Sequence, residues 1–176
     1  MGTPENDAPE SFWQADLDEA AGRLAAILRD ESADVLTIYD DHGGYGHPDH
    51  IQVHRVGVRA AELASTPRVY EATMDRDQVI EFMATAREGT EAPEDLPAIE
   101  PDFGSPASII TTRVDVAAWA DRKRKAMQAH ASQIPADSWF LSMPDDVFAT
   151  VFGTEVFIRR GAQPGLQEDD LLAGIP

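Results

Sequence analysis

The chain has 176 residues, 43% of them hydrophobic, which is enough for one ordinary core and a single domain by length. Thirty-two acidic against fourteen basic residues give a formal charge of −18, which repels nucleic-acid phosphates and anionic membranes at long range. The absence of cysteine excludes a disulfide framework and thiolate zinc sites, so any metal has to be held by imidazole and carboxylate.

Residues 1 to about 11 are rich in Pro, Asp and Glu without periodicity, and read as a loop with no signal-peptide core. From Asp16 to Leu28, Leu17, Ala20, Ala21, Leu24, Ala25, Ile27 and Leu28 recur at helical spacing, and Asp16, Asp18 and Glu19 suit the positive end of the dipole. Val35 to Tyr39 reads as a buried-type strand. The loop after it carries His42, His47 and His50, and with His54 it brings four of the five histidines within thirteen residues. Pro48, directly after His47, suits the first turn of a helix, where a missing N–H costs nothing, and that helix is expected to run to Ala64.

Val69 to Met74 reads as a second strand, and Asp75 to Glu88 as a helix with Asp75 as cap and Val79, Phe82 and Met83 inward. Residues 89 to 106 are Pro-rich and acidic, an irregular excursion. Ser108 to Val116 is β-rich. Val116 to Gln133 is expected to be helical, with Trp119, Ala126 and Met127 inward and the basic run Arg122-Lys123-Arg124-Lys125 on a solvated face. Asp145 to Phe152 reads as a short helix and Thr154 to Arg160 as a terminal strand. Residues 161–176 read as a flexible acidic tail. Strand, helix and strand in this order predict an α/β fold, Rossmann-like, with a mostly parallel sheet and crossover helices. No apolar run reaches the length of a membrane span, so cytoplasmic residence is expected.

The strand before the histidines would deliver them to the carboxyl edge of the sheet, where α/β proteins bind ligands. His47 and His50, three apart at a helix start, can point toward one cleft. His54, four residues after His50, makes a His-x-x-x-His pair that could form a self-contained metal site with His42, although no Glu follows the first histidine as in zincins. Exposed helical surface is the better expectation for His54, and a packed or capping place at a helix end for His130. Gly43-Gly44-Tyr45-Gly46 lacks the spacing of a phosphate-binding loop.

The string Gly43-Gly44-Tyr45-Gly46-His47-Pro48-Asp49-His50 resembles the second signature of the LmbE-like (PIG-L) N-acetylglucosaminyl deacetylases of actinobacterial type. The continuation His50-Ile51-Gln52-Val53-His54-Arg55, the opening Met1 to Asp7 and Ala129-His130-Ala131-Ser132-Gln133 are also similar to segments of that family. The resemblance implies a zinc-dependent amide hydrolase acting on an amino-sugar conjugate, with no nucleic-acid or membrane partner and with oligomerisation left open. Position by position it implies His50 as a zinc ligand and His47 as general acid or electrophilic stabiliser. It implies Asp49 as the carboxylate that tunes a histidine, and Tyr45 as the mobile tyrosine that meets substrate and oxyanion. The family's first signature, Ala-His-Pro-Asp-Asp-Glu, carries two zinc ligands and the general base and does not occur here. The nearest string, Met143-Pro144-Asp145-Asp146, reads as a turn and helix start. Residues 1–160 are therefore expected to form the carboxyl-terminal part of such a domain, with the sheet incomplete at the amino-terminal side and one edge open. A non-catalytic remnant, or a sugar-binding or interaction module without zinc chemistry, is the alternative.

Overall fold

The computed structural model describes residues 4–88 and 103–175. The first three residues and most of the Pro-rich excursion, 89–102, lie outside them.

Helix α1 (Leu17–Asp30) starts where Asp16 accepts the Glu19 N–H at 2.9 Å, so a side chain satisfies a backbone donor that the first turn leaves open. Its small residues Ala21 and Ala25 let it approach α3 (Pro48–Ala64) closely, and with Leu28, Val56 and Ala60 they form the core on that face. Between these helices runs β1 (Val35–Tyr39), followed by one distorted turn, α2 (Gly43–Gly46). Strand β2 (Arg68–Thr73) returns parallel to β1, with Thr37 opposite Tyr70, completing a strand–helix–strand unit. Helix α4 (Arg76–Glu88) follows, its first turn capped by the buried Asp75, which accepts the N–H groups of Asp77 and Gln78. Met83 is buried, and Val79 and Phe82 are half-buried, on its inner face.

The second half adds β3 (Thr112–Asp115), α5 (Ala120–Ala129), α6 (Asp145–Phe152) and β4 (Thr154–Arg159). The sheet order is β1-β2-β4-β3, with β4 antiparallel to both neighbours. The α/β class is as expected, but among the described strands only β1 and β2 pair in parallel. Residue alternation reveals a strand and is blind to its direction.

Three expectations change in the second half. The β-rich stretch from Ser108 opens with a 3₁₀ turn (Ala107–Ile109), because the Asp77 carboxylate takes the Ala107 N–H at 2.9 Å and turns the chain before β3 can start. The long helix from Val116 begins as another 3₁₀ turn and leaves α geometry at His130, which sits exposed as the C-cap of α5. Its inward face is also rotated. Trp119 is 54% exposed with Arg122 4.7 Å above its ring, and Ala126 is exposed. Met127 packs inward as expected, and Ala120 joins it against Phe148 and Met143.

The rotation turns two of the four bases inward. Arg124 lies 4.1 Å over the Phe148 ring and donates to the carbonyls of Leu141 and Met143, while Lys123 reaches the Phe152 carbonyl and Glu155. Long cationic side chains bury their stems and place their heads on backbone oxygens, so a basic run can be half structural. Past β4, Glu168 bridges to β3 through its backbone, and Arg68 donates to the carbonyls of Leu171 and Ala173. Among the described residues, no helix is long and apolar enough to cross a membrane.

Candidate active site

Strand β1 ends at Tyr39 and delivers Asp40, 1% exposed, to the carboxyl edge of the sheet. One Asp40 oxygen accepts the Gly44 N–H at 2.6 Å and the other accepts the Thr73 hydroxyl at 2.6 Å. Thr73 also bonds Ser105, and Gly104 donates its N–H to the Gly44 carbonyl at 2.9 Å. The glycine turn is thus fastened to the end of β2. Gly43 has φ +67, a conformation that disfavours any Cβ, and an added Cβ would stand 2.8 Å from the Cβ of His50. That close approach is what lets His50 tuck against the turn.

His47 is the N-cap of α3: its backbone is extended, and its Nδ1 accepts the Asp49 N–H at 3.1 Å. An imidazole here does the work usually done by Ser or Asp, with Pro48 in the first helical turn. Because Nδ1 accepts, the ring proton of neutral His47 sits on Nε2. In His50 the arrangement is reversed. Its Nδ1 faces the Gly43 carbonyl at 3.2 Å, which can only accept, so the proton is on Nδ1 and the Nε2 lone pair is left open. The two rings stand 4.8 Å apart, centroid to centroid. One presents a proton and the other a lone pair.

Aromatic rings frame the pair. Tyr39 stacks on His50 at 3.9 Å with planes 4° apart, and Tyr45, 43% exposed, stands edge-on at 5.2 Å from His50 and 6.3 Å from His47. Partial burial, reinforced by the neighbouring His47, holds the His50 pKa below its ordinary value against the raising effect of the Gly43 carbonyl. His50 is therefore a neutral imidazole at neutral pH, the form that binds metals. Burial, then the nearby Tyr45 hydroxyl, raises the pKa of Tyr39.

The remaining groups have other partners. The Asp49 carboxylate makes no bond to His47; only its N–H does, and its Oδ1 is buried without a hydrogen-bond partner among the described residues. His42 sits between Asp41, at 2.8 Å, and Asp40, at 3.3 Å, and its hydrogen bond holds the Asp41 pKa below the ordinary carboxylate value. His54, expected on exposed surface, has a side chain only 13% exposed that bonds the Tyr39 carbonyl at 3.0 Å beside Glu71. Its α3 position turns it under the end of β1. Among the described residues, no three His, Cys, Asp or Glu side chains converge on a common metal position. His50 keeps an open, oriented Nε2, as does His54 with its Nδ1 on a carbonyl, but without a third converging ligand these residues do not by themselves form a zinc site.

Sequence reasoning missed Tyr39 and Asp40 as parts of the site. Their signal was position: the last strand residue and the one after it, directly before a glycine turn at the ligand-binding edge. A cleft of about 460 Å³ bordered by Glu71, Thr111, Ile158 and Arg160 lies elsewhere on the sheet. Its arginines are engaged, Arg160 with Glu71 and Arg159 with Glu168, so it is held together by its own charges.

No family model matches the chain. Curated relatives do. The chain is 40% identical over 99% of its length to a 1D-myo-inositol 2-acetamido-2-deoxy-alpha-D-glucopyranoside deacetylase of Acidothermus cellulolyticus, covering 63% of that protein. It is 40% identical over its whole length to the Geodermatophilus obscurus protein of the same name, covering 66%, and 38% identical over 99% to that of Streptomyces avermitilis, covering 65%. The chain thus spans a little under two thirds of the length of these relatives. With near-complete coverage of its own residues and the histidine turn folded as one unit, the chain belongs to the LmbE-like (PIG-L) deacetylase family.

Proposed function

We propose that this chain carries one side of the reaction site of a hydrolase that removes the acetyl group from an N-acetylglucosaminyl conjugate, in a cytoplasmic setting. The observation that supports it is the complementary pair: His47 with its proton on Nε2 and His50 with its Nε2 lone pair open, 4.8 Å apart at the carboxyl edge of the sheet. The relatives' names carry the same activity, each for its own protein.

Amide hydrolysis builds negative charge on the former carbonyl oxygen, and a donor aimed at that charge stabilises it more than it stabilises the substrate. His47 Nε2–H is such a donor. The Asp49 N–H on Nδ1 favours this electrophilic role over that of general acid, since an imidazolium would set two N–H groups face to face. Tyr45, exposed and edge-on to both rings, is the group free to swing onto the amide or the sugar. Asp49 holds His47 through its backbone and adds negative charge beside His50. Zinc is the cofactor of this reading, and His50 is the ligand the chain would contribute. Further donors would come from beyond the described residues.

That incompleteness favours a second reading, a module that holds an amino-sugar conjugate without hydrolysing it. The test is to incubate the chain, together with the part of the Geodermatophilus obscurus protein that the match leaves uncovered, with zinc and an N-acetylglucosaminyl-inositol and to follow acetate and free amine. The first reading expects acetate release that disappears in His50→Ala and falls by about 100-fold in His47→Phe. Saturable binding of the conjugate without acetate would overturn it in favour of the second.

A further inference from the structure

The Asp40 carboxylate is held by neutral donors alone. It is 1% exposed and accepts the Gly44 N–H and the Thr73 hydroxyl, each at 2.6 Å. A buried carboxylate is normally paired with a cation, and among the described residues the one cation-capable group within salt-bridge distance is His42, whose Nε2 lies 3.3 Å from Asp40 Oδ2. That contact lacks the alignment of a hydrogen bond. Nε2 is buried and has no other partner among the described residues. The second ring nitrogen is taken, because Nδ1 stands in hydrogen-bonding alignment 2.8 Å from Asp41.

One proton decides what the Nε2 contact does. A neutral imidazole carries a single N–H, and the aligned bond assigns it to Nδ1, so Nε2 turns a lone pair toward the Asp40 oxygen. Two acceptors at that distance repel. With a proton on each nitrogen the ring donates to Asp41 and attracts Asp40, so the sign of the contact reverses while the geometry stays the same. Burial at Asp40 strengthens both signs, since little water screens them.

His42 also grips the turn from its far side. Its backbone carbonyl accepts the Gly46 N–H at 3.0 Å, while Asp40 accepts the Gly44 N–H. Tyr45, 43% exposed, lies between those two bonds, and both run through the His42 and Asp40 pair. Few charged groups surround the ring. Asp40 and Asp41 come from its own loop, β2 contributes the uncharged Thr73, and from α3 the fields of His54 and His50 reach Asp41 and Asp40 respectively.

We propose that His42 is a proton-operated latch on the turn that carries Tyr45, closed with a proton on each ring nitrogen and released when Nε2 gives its proton up. As regulation of a reaction the latch rests on the hydrolytic reading, in which Tyr45 meets the substrate. As a change in the turn it stands apart from that reading, and its test uses neither metal nor substrate, so the two can fail separately.

The experiment follows the chain by NMR from about pH 8 to about pH 5.5, the span in which imidazoles change charge. Long-range nitrogen–proton spectra report the state of the His42 ring, and amide exchange, corrected for the intrinsic effect of pH, gives the protection of Gly44. Protection about tenfold higher at the acid end is expected, rising at the pH where His42 takes its second proton. In His42→Asn the protection should be flat across the range, whereas His50→Asn and His54→Gln should keep the step. A His42 ring that holds one state throughout, Gly44 protection that ignores a titrating His42, or a step that His42→Asn retains would each overturn the latch.

Discussion

Glu168 and His50 are both half-hidden polar groups beside aromatic rings, yet the fold treats them in opposite ways. Glu168 is saturated: it accepts from the Tyr70 hydroxyl at 3.1 Å, the Thr112 hydroxyl at 3.1 Å and Arg159 at 2.7 Å. His50 is fixed by one nitrogen and left open at the other. A network that holds a fold leaves no buried valence unused, whereas a site that does chemistry has to keep one free. The stacked Tyr39 and the Gly43 carbonyl hold the ring in place without occupying the nitrogen that faces away from them.

The contrast predicts opposite mutational profiles. Glu168→Ala strands Arg159 and two buried hydroxyls, and should lower stability by about 3 kcal/mol in urea unfolding. His50→Asn should change it by less than about 1 kcal/mol. Equal losses in the two variants would erase the distinction. Asp40 belongs to both categories, buried like Glu168 yet shaping the histidine turn. Asp40→Ala leaves the Gly44 N–H and the Thr73 hydroxyl without their acceptor, and a loss of about 2 kcal/mol is expected, with loosening of the turn visible as faster exchange of the Gly44 amide. An unchanged Gly44 amide would show that the turn stands without Asp40.

The smallest effect is on pH dependence. His50 in the folded chain holds its proton less tightly than an unfolded imidazole with its value of 6.5. Below that value the unfolded chain takes up a proton that the folded chain resists, so this contribution is present above about pH 6.5 and lost as pH falls. His50→Asn should therefore flatten the stability curve between about pH 7 and 5. A steeper slope in the variant would reverse the assigned direction.

Much of the site was legible because it is local. The glycines, Pro48 and the apolar spacing locate β1, the turn and α3, and both β1 and α3 have the bounds their residues suggest. His47 as the cap follows from Pro48, which marks the first helical turn directly after it. What the sequence could not show depends on distant partners. Glu168 meets Tyr70 across 98 residues, and no pattern in an acidic tail announces that. Trp119 looked like a core residue by type, but the 3₁₀ turn before α5 rotates it outward and lets Arg124 take the inward place against Phe148.

Long-range nitrogen–proton NMR on the histidine side chains at neutral pH reads the central claim directly, because it reports which ring nitrogen carries the proton. Opposite tautomers are predicted, Nε2–H for His47 and Nδ1–H for His50, with the His50 ring neutral. The same tautomer in both rings, or a protonated His50, would contradict the account.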